Sequence, residues 1–78
     1  MATIYKVGDI VFWATNTAAG EYVVIGHPKG QPDILVFDSF GEVPAELCQP
    51  TGRRAPVRAQ EYRRRYLEEF PGNLEGSE

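Results

Sequence analysis

The chain has 78 residues, of which 42% are hydrophobic and 24% are charged, with a net charge of −3 at neutral pH. This length leaves room for one domain, and no apolar run reaches the roughly 18–20 residues of a membrane span. The one cysteine, Cys48, excludes an internal disulfide, and with the one histidine, His27, it cannot complete a structural zinc site without carboxylates or a second chain. A domain this small has a thin stability margin, so we expect good packing or a homodimer.

The first residues of the sequence also bear on the compartment. Residues 1–6 lack the basic and apolar regions of a secretory signal peptide. The lone cysteine fits a reducing compartment. We therefore expect a cytoplasmic protein.

Three segments rich in β-branched and aromatic residues predict strands. They span residues 10–14, 21–25 and 34–37, and the glycines and prolines of residues 26–33 exclude regular structure between the last two. Residues 43–48 form a short final element, in which Pro44 predicts an edge strand or a single 3₁₀ turn. This spacing favours a meander or small barrel over residues 1–50.

The C-terminal part of the sequence changes in composition. Residues 51–55 are predicted to be a linker, and Pro56 is well placed as the first residue of a helix. The helix is predicted over residues 56–70, where an apolar stripe recurs at helical spacing until Pro71 and Gly72 stop it. Residues 71–78 are expected to be a flexible acidic tail.

The predicted strands are apolar on both faces, which is unusual for a half-exposed antiparallel sheet. In the first strand Ile10 and Phe12 face one way and are expected to fill a core, whereas Val11 and Trp13 face the other way and need cover. The helix stripe, a second subunit or another protein could supply that cover. The predicted protein-interaction residues are therefore Val11, Trp13, Val23, Ile25, Tyr62, Tyr66 and Phe70.

This layout resembles the SH3-like small barrels over about residues 5–49. The segments that carry the resemblance are residues 7–11 (Val-Gly-Asp-Ile-Val), 20–24 (Gly-Glu-Tyr-Val-Val) and 43–47 (Val-Pro-Ala-Glu-Leu). It implies a mainly β fold of three to five antiparallel strands, followed here by one C-terminal amphipathic helix. The fold hosts peptide binders, nucleic-acid binders and the type II dihydrofolate reductases. Residues 34–37 lack the Gln and Tyr of the reductases' active-site strand, which leaves that enzyme a remote alternative.

Charge is distributed unevenly, as an acidic body, a basic segment over residues 51–65 and an acidic tail. The basic segment holds Arg53, Arg54, Arg58, Arg63, Arg64 and Arg65. These arginines could solvate the helix and neutralise the acidic body, bind an acidic protein surface, or contact nucleic-acid phosphates with Tyr5, Trp13 and Tyr22 as stacking surfaces. The sequence pI of about 5.1 speaks against nucleic acid.

No residue pattern predicts catalysis, a metal site or a cofactor. His27 is interpreted as a surface-loop histidine and Cys48 as a passive buried thiol, because neither has a partner at catalytic spacing. We expect a non-enzymatic protein–protein interaction module, acting as a homo-oligomer, an adaptor or an inhibitor. Chains of this size without a catalytic set are common in phage and mobile-element cargo. A nucleic-acid binder using the arginine-rich helix is the alternative.

Overall fold

The computed structural model describes residues 5–75, so the last residues of the predicted tail, 76–78, lie outside the described part. The fold is mainly β, with 45% of residues in strands and 24% in helices. The strands are β1 (Asp9–Ala14), β2 (Ala19–Pro28), β3 (Ile34–Phe37), β4 (Glu42–Pro44), β5 (Cys48–Arg54) and β6 (Leu74–Glu75). A 3₁₀ turn, Ala45–Leu47, joins β4 to β5, and one α-helix, α1 (Pro56–Glu69), follows β5.

The strands pair in the order β4-β3-β2-β1-β5, and every pair is antiparallel. β2 is long enough to serve two neighbours, since residues 19–23 pair with β1 while Val24 and Gly26 pair with β3. The 3₁₀ turn returns the chain so that β5 pairs with β1. This mainly β antiparallel fold, with a 3₁₀ turn before the fifth strand and one C-terminal helix, agrees with the fold class that the SH3-like resemblance implies. Pro44 lies at the edge position expected of it.

Alternating side chains of the same strands build two separate hydrophobic cores. We call the first the barrel core; it contains Tyr5, Val11, Val24, Leu35, Phe37, Val43, Ala45 and Cys48, with Trp13 and Tyr22 packed against it. We call the second the helix layer; it contains Val7, Val23, Ile25, Val36, Ala59, Tyr66 and Leu74, with Ile10, Phe40, Ala55, Tyr62 and Leu67 packed against it. Both faces of β2 and β3 are thus covered within one chain.

The helix begins and ends close to the predicted positions. Pro56 occupies the first turn, where its missing N–H costs no hydrogen bond. Ala59 and Tyr66 bury one side of α1 against the sheet, and Phe70 closes the last turn by donating its N–H to the Tyr66 carbonyl at 2.8 Å. Within residues 5–75, no helix has the length and apolar character needed to cross a membrane.

The structure reverses the predicted facing of β1. Val11 is fully buried in the barrel core and Trp13 packs against the same core, whereas Phe12 is 38% exposed and Ile10 faces the helix layer. The pairing of Val11 with Tyr22 places both on the barrel face. A strand that is apolar on both faces does not reveal which face is inside, because only its pairing register decides this.

The predicted linker, irregular loop and tail are also corrected. Residues 51–54 continue β5, in which Arg54 pairs with Asp9 of β1. The sequence does not predict this part of the strand, because an edge strand with a polar face lacks the apolar pattern of a buried strand. Residues 26–28 continue β2 past a bulge at Gly26. After Gly72 the chain forms β6, which pairs with His27 and Pro28 and buries Leu74 in the helix layer.

Candidate functional site

The predicted interaction residues do not form one exposed surface. Four of them, Val11, Val23, Ile25 and Tyr66, are between 0 and 6% exposed, so they offer no contact area to another chain while the fold is intact. Trp13 and Tyr62 are half-buried, and Phe70 is 45% exposed. Four of the seven predicted interaction residues are therefore inaccessible to a partner in the folded chain.

The cover for that face comes from the chain's own helix. Ala59 and Tyr66 of α1 pack on Val23, Ile25 and Val36 from the sheet. Of the three covers that the sequence left open, the intrachain helix is the one observed. A second subunit is no longer required to bury apolar surface, so the homodimer remains a prediction without that support.

A cleft opens where the helix layer ends, between α1 and the turn that follows β3. It consists of two adjoining cavities of about 450 and 360 Å³, which share Asp38, Ser39 and Tyr62 in their walls. We call the two together the α1 cleft. The first cavity is completed by Phe40, Arg65, Glu68 and Glu69, and the second by Glu21, Tyr22 and Arg58.

The turn between β3 and β4 has an unusual backbone that places Asp38 and Ser39 in the cleft. The Phe40 N–H donates to the Phe37 carbonyl at 2.8 Å, and Phe40 has a φ of 69°, a left-handed conformation that is uncommon for an aromatic residue. Its ring meets Tyr66 edge-on, with the centroids 5.3 Å apart and the planes at 83°. Packing of Phe40 on the helix offsets the backbone strain and fixes the turn beside α1.

Tyr62 stands between the two cavities with an arginine on each side along the helix. The guanidinium groups of Arg58 and Arg65 lie 5.3 and 5.2 Å from the centre of its ring, within cation–π range. The Arg58 Nε donates to the Asp38 carboxylate at 3.0 Å, and the Arg65 Nη2 donates to Glu61 at 2.8 Å. The aromatic ring is thus held in place by two arginines whose charges are already neutralised.

The remaining predicted anion-binding arginines lie mostly in intrachain contacts. Arg53 pairs with Glu21, and Arg54 pairs with Asp9 at 3.0 Å and donates to the Val7 carbonyl at 2.8 Å. Arg63 donates to the Ile25 carbonyl at 2.9 Å. Within residues 5–75, Arg64 alone of the six has no recorded partner. These contacts favour the interpretation in which the arginines neutralise the acidic body.

His27 and Cys48 have structural surroundings. His27 lies on β2 rather than in a loop, and its Nδ1 is 2.9 Å from the Ile34 carbonyl oxygen. Cys48 is buried, its Sγ lies 3.7 Å from the Pro44 carbonyl, and burial raises the pKa of its thiol, which disfavours the nucleophilic thiolate. Among residues 5–75 there is no group of three His, Cys, Asp or Glu side chains placed to hold a metal ion.

Sequence reasoning missed part of the cleft wall. The sequence patterns single out none of five residues in its wall, which are Asp38, Ser39, Phe40, Glu68 and Glu69. The left-handed conformation of Phe40 has no signature in the sequence, since aromatic residues rarely adopt it. The one sequence feature that points to this cleft is the polar turn directly after β3, a strand that is buried on both faces, since functional residues are often found in such loops.

Comparisons with known proteins identify no relative. No protein-family model matches the chain, and no curated protein or solved structure is significantly similar to it. The side chains of the α1 cleft therefore carry the functional information in this small antiparallel β fold.

Proposed function

We propose that this protein is a non-enzymatic protein-binding module and that the α1 cleft is its contact surface. The observation that carries the proposal is the position of Tyr62, a half-buried aromatic side chain at the centre of a concave surface. Tyrosine supplies a large contact area together with a hydroxyl group, and such side chains are enriched among the residues that dominate binding energy. The exposed ring of Phe70, which packs on Tyr66 at 4.9 Å, extends the aromatic character of this end of the helix.

Nucleic-acid binding is the weaker alternative for two reasons. Arg53, Arg54, Arg58 and Arg65 each contact a carboxylate of the same chain, so a phosphate would have to displace an existing partner. The net charge of −3 also opposes the approach of a polyanion. Neither feature opposes the binding of a protein.

The enzyme alternatives have less support still. The described residues that line the α1 cleft include neither His nor Cys, the side chains that most often act as base or nucleophile. Leu35, Val36 and Phe37 of β3 are at most 1% exposed, whereas the reductase resemblance would need this strand to line an open pore. We therefore do not propose an activity.

The proposal is tested by filling the cleft at Ser39. Ser39 is exposed and contributes to the walls of both cavities, so Ser39→Arg should obstruct the cleft without disturbing either core. Asn16→Arg, at an exposed position of the β1–β2 loop, adds the same side chain outside the cleft and serves as the matched control. The measurement is a quantitative pull-down from host lysate with nuclease added.

We expect proteins that bind the wild type and Asn16→Arg equally but are depleted from Ser39→Arg. Equal capture by all three proteins would place the contact surface elsewhere. Loss of all captured material upon nuclease treatment would favour the nucleic-acid alternative.

A further inference from the structure

The charges that line the α1 cleft do not cancel. Its wall contains four carboxylates and two guanidinium groups, a formal charge of −2; the charged residues are Glu21, Asp38, Glu68, Glu69, Arg58 and Arg65. Each of the two arginines is paired with an acid of this chain. The cleft therefore presents excess negative charge to an occupant.

The excess is concentrated in the larger cavity. Asp38 is paired with Arg58 and Glu21 with Arg53, whereas Glu68 and Glu69 have no recorded partner within residues 5–75. Both glutamates are exposed and line the cavity of about 450 Å³. Two exposed carboxylates without recorded partners thus line one open cavity.

Aromatic rings line the same cavity. Phe40 and Tyr62 contribute to its wall together with the two glutamates. Lysine and arginine have long apolar stems and charged heads, so their stems can lie on aromatic rings while their heads reach a carboxylate. An acidic partner side chain would find no uncompensated cation in this cavity, because Arg65 already binds Glu61.

On the basis of the proposed function, we infer that the occupant of the α1 cleft is a basic segment of a partner protein. A lysine or arginine of that segment enters the larger cavity, where it contacts the rings of Phe40 and Tyr62 and pairs with Glu68 or Glu69. Charge complementarity also raises the association rate. The affinity therefore falls as added salt screens the charges of the cleft and of the peptide.

The test uses a fluorescein-labelled peptide of alternating Arg and Ala as the probe, with a Glu–Ala peptide as its charge-reversed counterpart. Fluorescence anisotropy measures the affinity of each peptide for the full chain at low and high salt. The variant is Glu68→Gln with Glu69→Gln. The matched control is Glu42→Gln with Glu46→Gln, which removes the same charge from exposed positions outside the cleft.

We expect the Arg–Ala peptide to bind the wild type in preference to the Glu–Ala peptide, and the cleft variant to lower that affinity about tenfold, or about 1.4 kcal/mol. The control should change it by less than about threefold, since distant exposed charges are largely screened. Equal losses in both double variants, preference for the acidic peptide, or no binding of the basic peptide would each overturn the inference.

Ser39→Arg separates this inference from the proposed function. Suppose that Ser39→Arg loses the captured lysate proteins, but the Glu68→Gln/Glu69→Gln variant keeps the wild-type affinity for the Arg–Ala peptide. The cleft then binds protein, and the inference of a basic partner segment is wrong. If sedimentation shows that the chain self-associates and the Glu68→Gln/Glu69→Gln variant does not, the occupant is a second copy, which also overturns the inference.

Discussion

The barrel core and the helix layer lie on opposite faces of the same strands, yet they are closed in different ways. The strands, the 3₁₀ turn and Tyr5 build the barrel core, which has two half-buried residues, Trp13 and Tyr22, at its margin. The helix layer needs α1 and β6, which come late in the chain, and several residues at its margin remain half-buried. Tyr62 and Phe40 belong to this margin, and the α1 cleft opens there.

The difference indicates where such a small domain can interact. Fully buried core residues contribute stability but no contact surface, whereas half-buried residues at the margin of a layer leave aromatic side chains accessible beside charged ones. Folding thus buries most of the large apolar residues of the strands, although Phe12 stays 38% exposed. At the margin between helix and turn, half-buried aromatic side chains and charged side chains line one cleft.

The largest expected effect comes from opening each core with one substitution. Phe37→Ala removes a ring that is 1% exposed, stacks on Tyr22 at 4.8 Å and lies 6.1 Å from Trp13, and it should lower the free energy of unfolding by about 3–5 kcal/mol. Tyr66→Ala, 3% exposed in the helix layer, should cost a similar or slightly smaller amount. Urea unfolding measures both.

Two signals recorded in that experiment sharpen the comparison. Trp13 fluorescence reports the barrel core and far-ultraviolet circular dichroism reports α1. We expect coincident transitions in the wild type, since small single domains unfold cooperatively. If Tyr66→Ala loses helix signal at lower urea than it loses the tryptophan signal, the helix layer is a separate unit and the barrel stands without it.

Gly26→Ala should have the next largest effect, because Gly26 lies where β6 closes the helix layer. A Cβ atom there would come within 2.7 Å of the Glu75 carbonyl oxygen and of Leu74 Cγ, and the φ of 152° is unfavourable for alanine. We expect a loss of about 1–3 kcal/mol in urea unfolding. Gly20→Ala, whose Cβ would have 3.5 Å of room, is the matched control and should change stability by less than about 0.5 kcal/mol.

A smaller effect distinguishes structural arginines from free ones. Arg54→Met removes the ion pair with Asp9 and the hydrogen bond to the Val7 carbonyl, and it should cost about 1 kcal/mol. Arg64→Met keeps a similar stem and removes no recorded contact, so its thermal midpoint should stay close to that of the wild type. Equal midpoints for the two variants would contradict the structural role of Arg54.

The smallest effect is a loss of stability at alkaline pH. Burial, with contributions from Cys48 and Asp9, raises the pKa of the Tyr5 phenol, and burial raises the pKa of the Cys48 thiol. The unfolded chain releases these protons near its ordinary values of about 8.5 for Cys and about 10 for Tyr, before the folded chain does. Stability is therefore complete below about pH 8 and falls as pH rises towards the folded-state values, since the unfolded state then binds fewer protons.

The measurement is the urea midpoint as a function of pH in the wild type, Tyr5→Phe and Cys48→Ala. Tyr5→Phe also loses the hydrogen bond from its hydroxyl to the Cys48 carbonyl at 3.2 Å, so the slope with pH is compared rather than the absolute midpoint. Each substitution should reduce the decrease of the urea midpoint with rising pH in the alkaline range. Identical slopes in all three proteins would show that the barrel core does not govern this dependence.

Local patterns were sufficient to predict much of the fold. The strand at Ile34–Phe37, the edge position of Pro44 and the helix that starts at Pro56 are all observed. Strand β5 was missed because Gln49 to Arg54 are polar and include a proline and a glycine, which are typical of linkers. Strand β6 was missed because a two-residue strand has no periodicity to detect.

The candidate site was predicted less well than the fold. Tyr62, Arg58 and Arg65 were singled out from their helix positions, but as members of two different predicted surfaces rather than of one cleft. The pairing of Arg58 with Asp38 joins residues 20 positions apart, and helical spacing carries no information about such a contact.

The sequence by itself determined that the strands are apolar on both faces and that an amphipathic helix follows them, because side-chain type and periodicity are local properties. The tertiary structure decided which face of β1 lies in the barrel core, which element covers the other face of the strands and where that covering helix layer ends. Those outcomes depend on register and on pairs as distant as Asp9 and Arg54. Most of the predicted interaction residues are therefore buried, and the α1 cleft at Tyr62 is formed only when the helix meets the turn after β3.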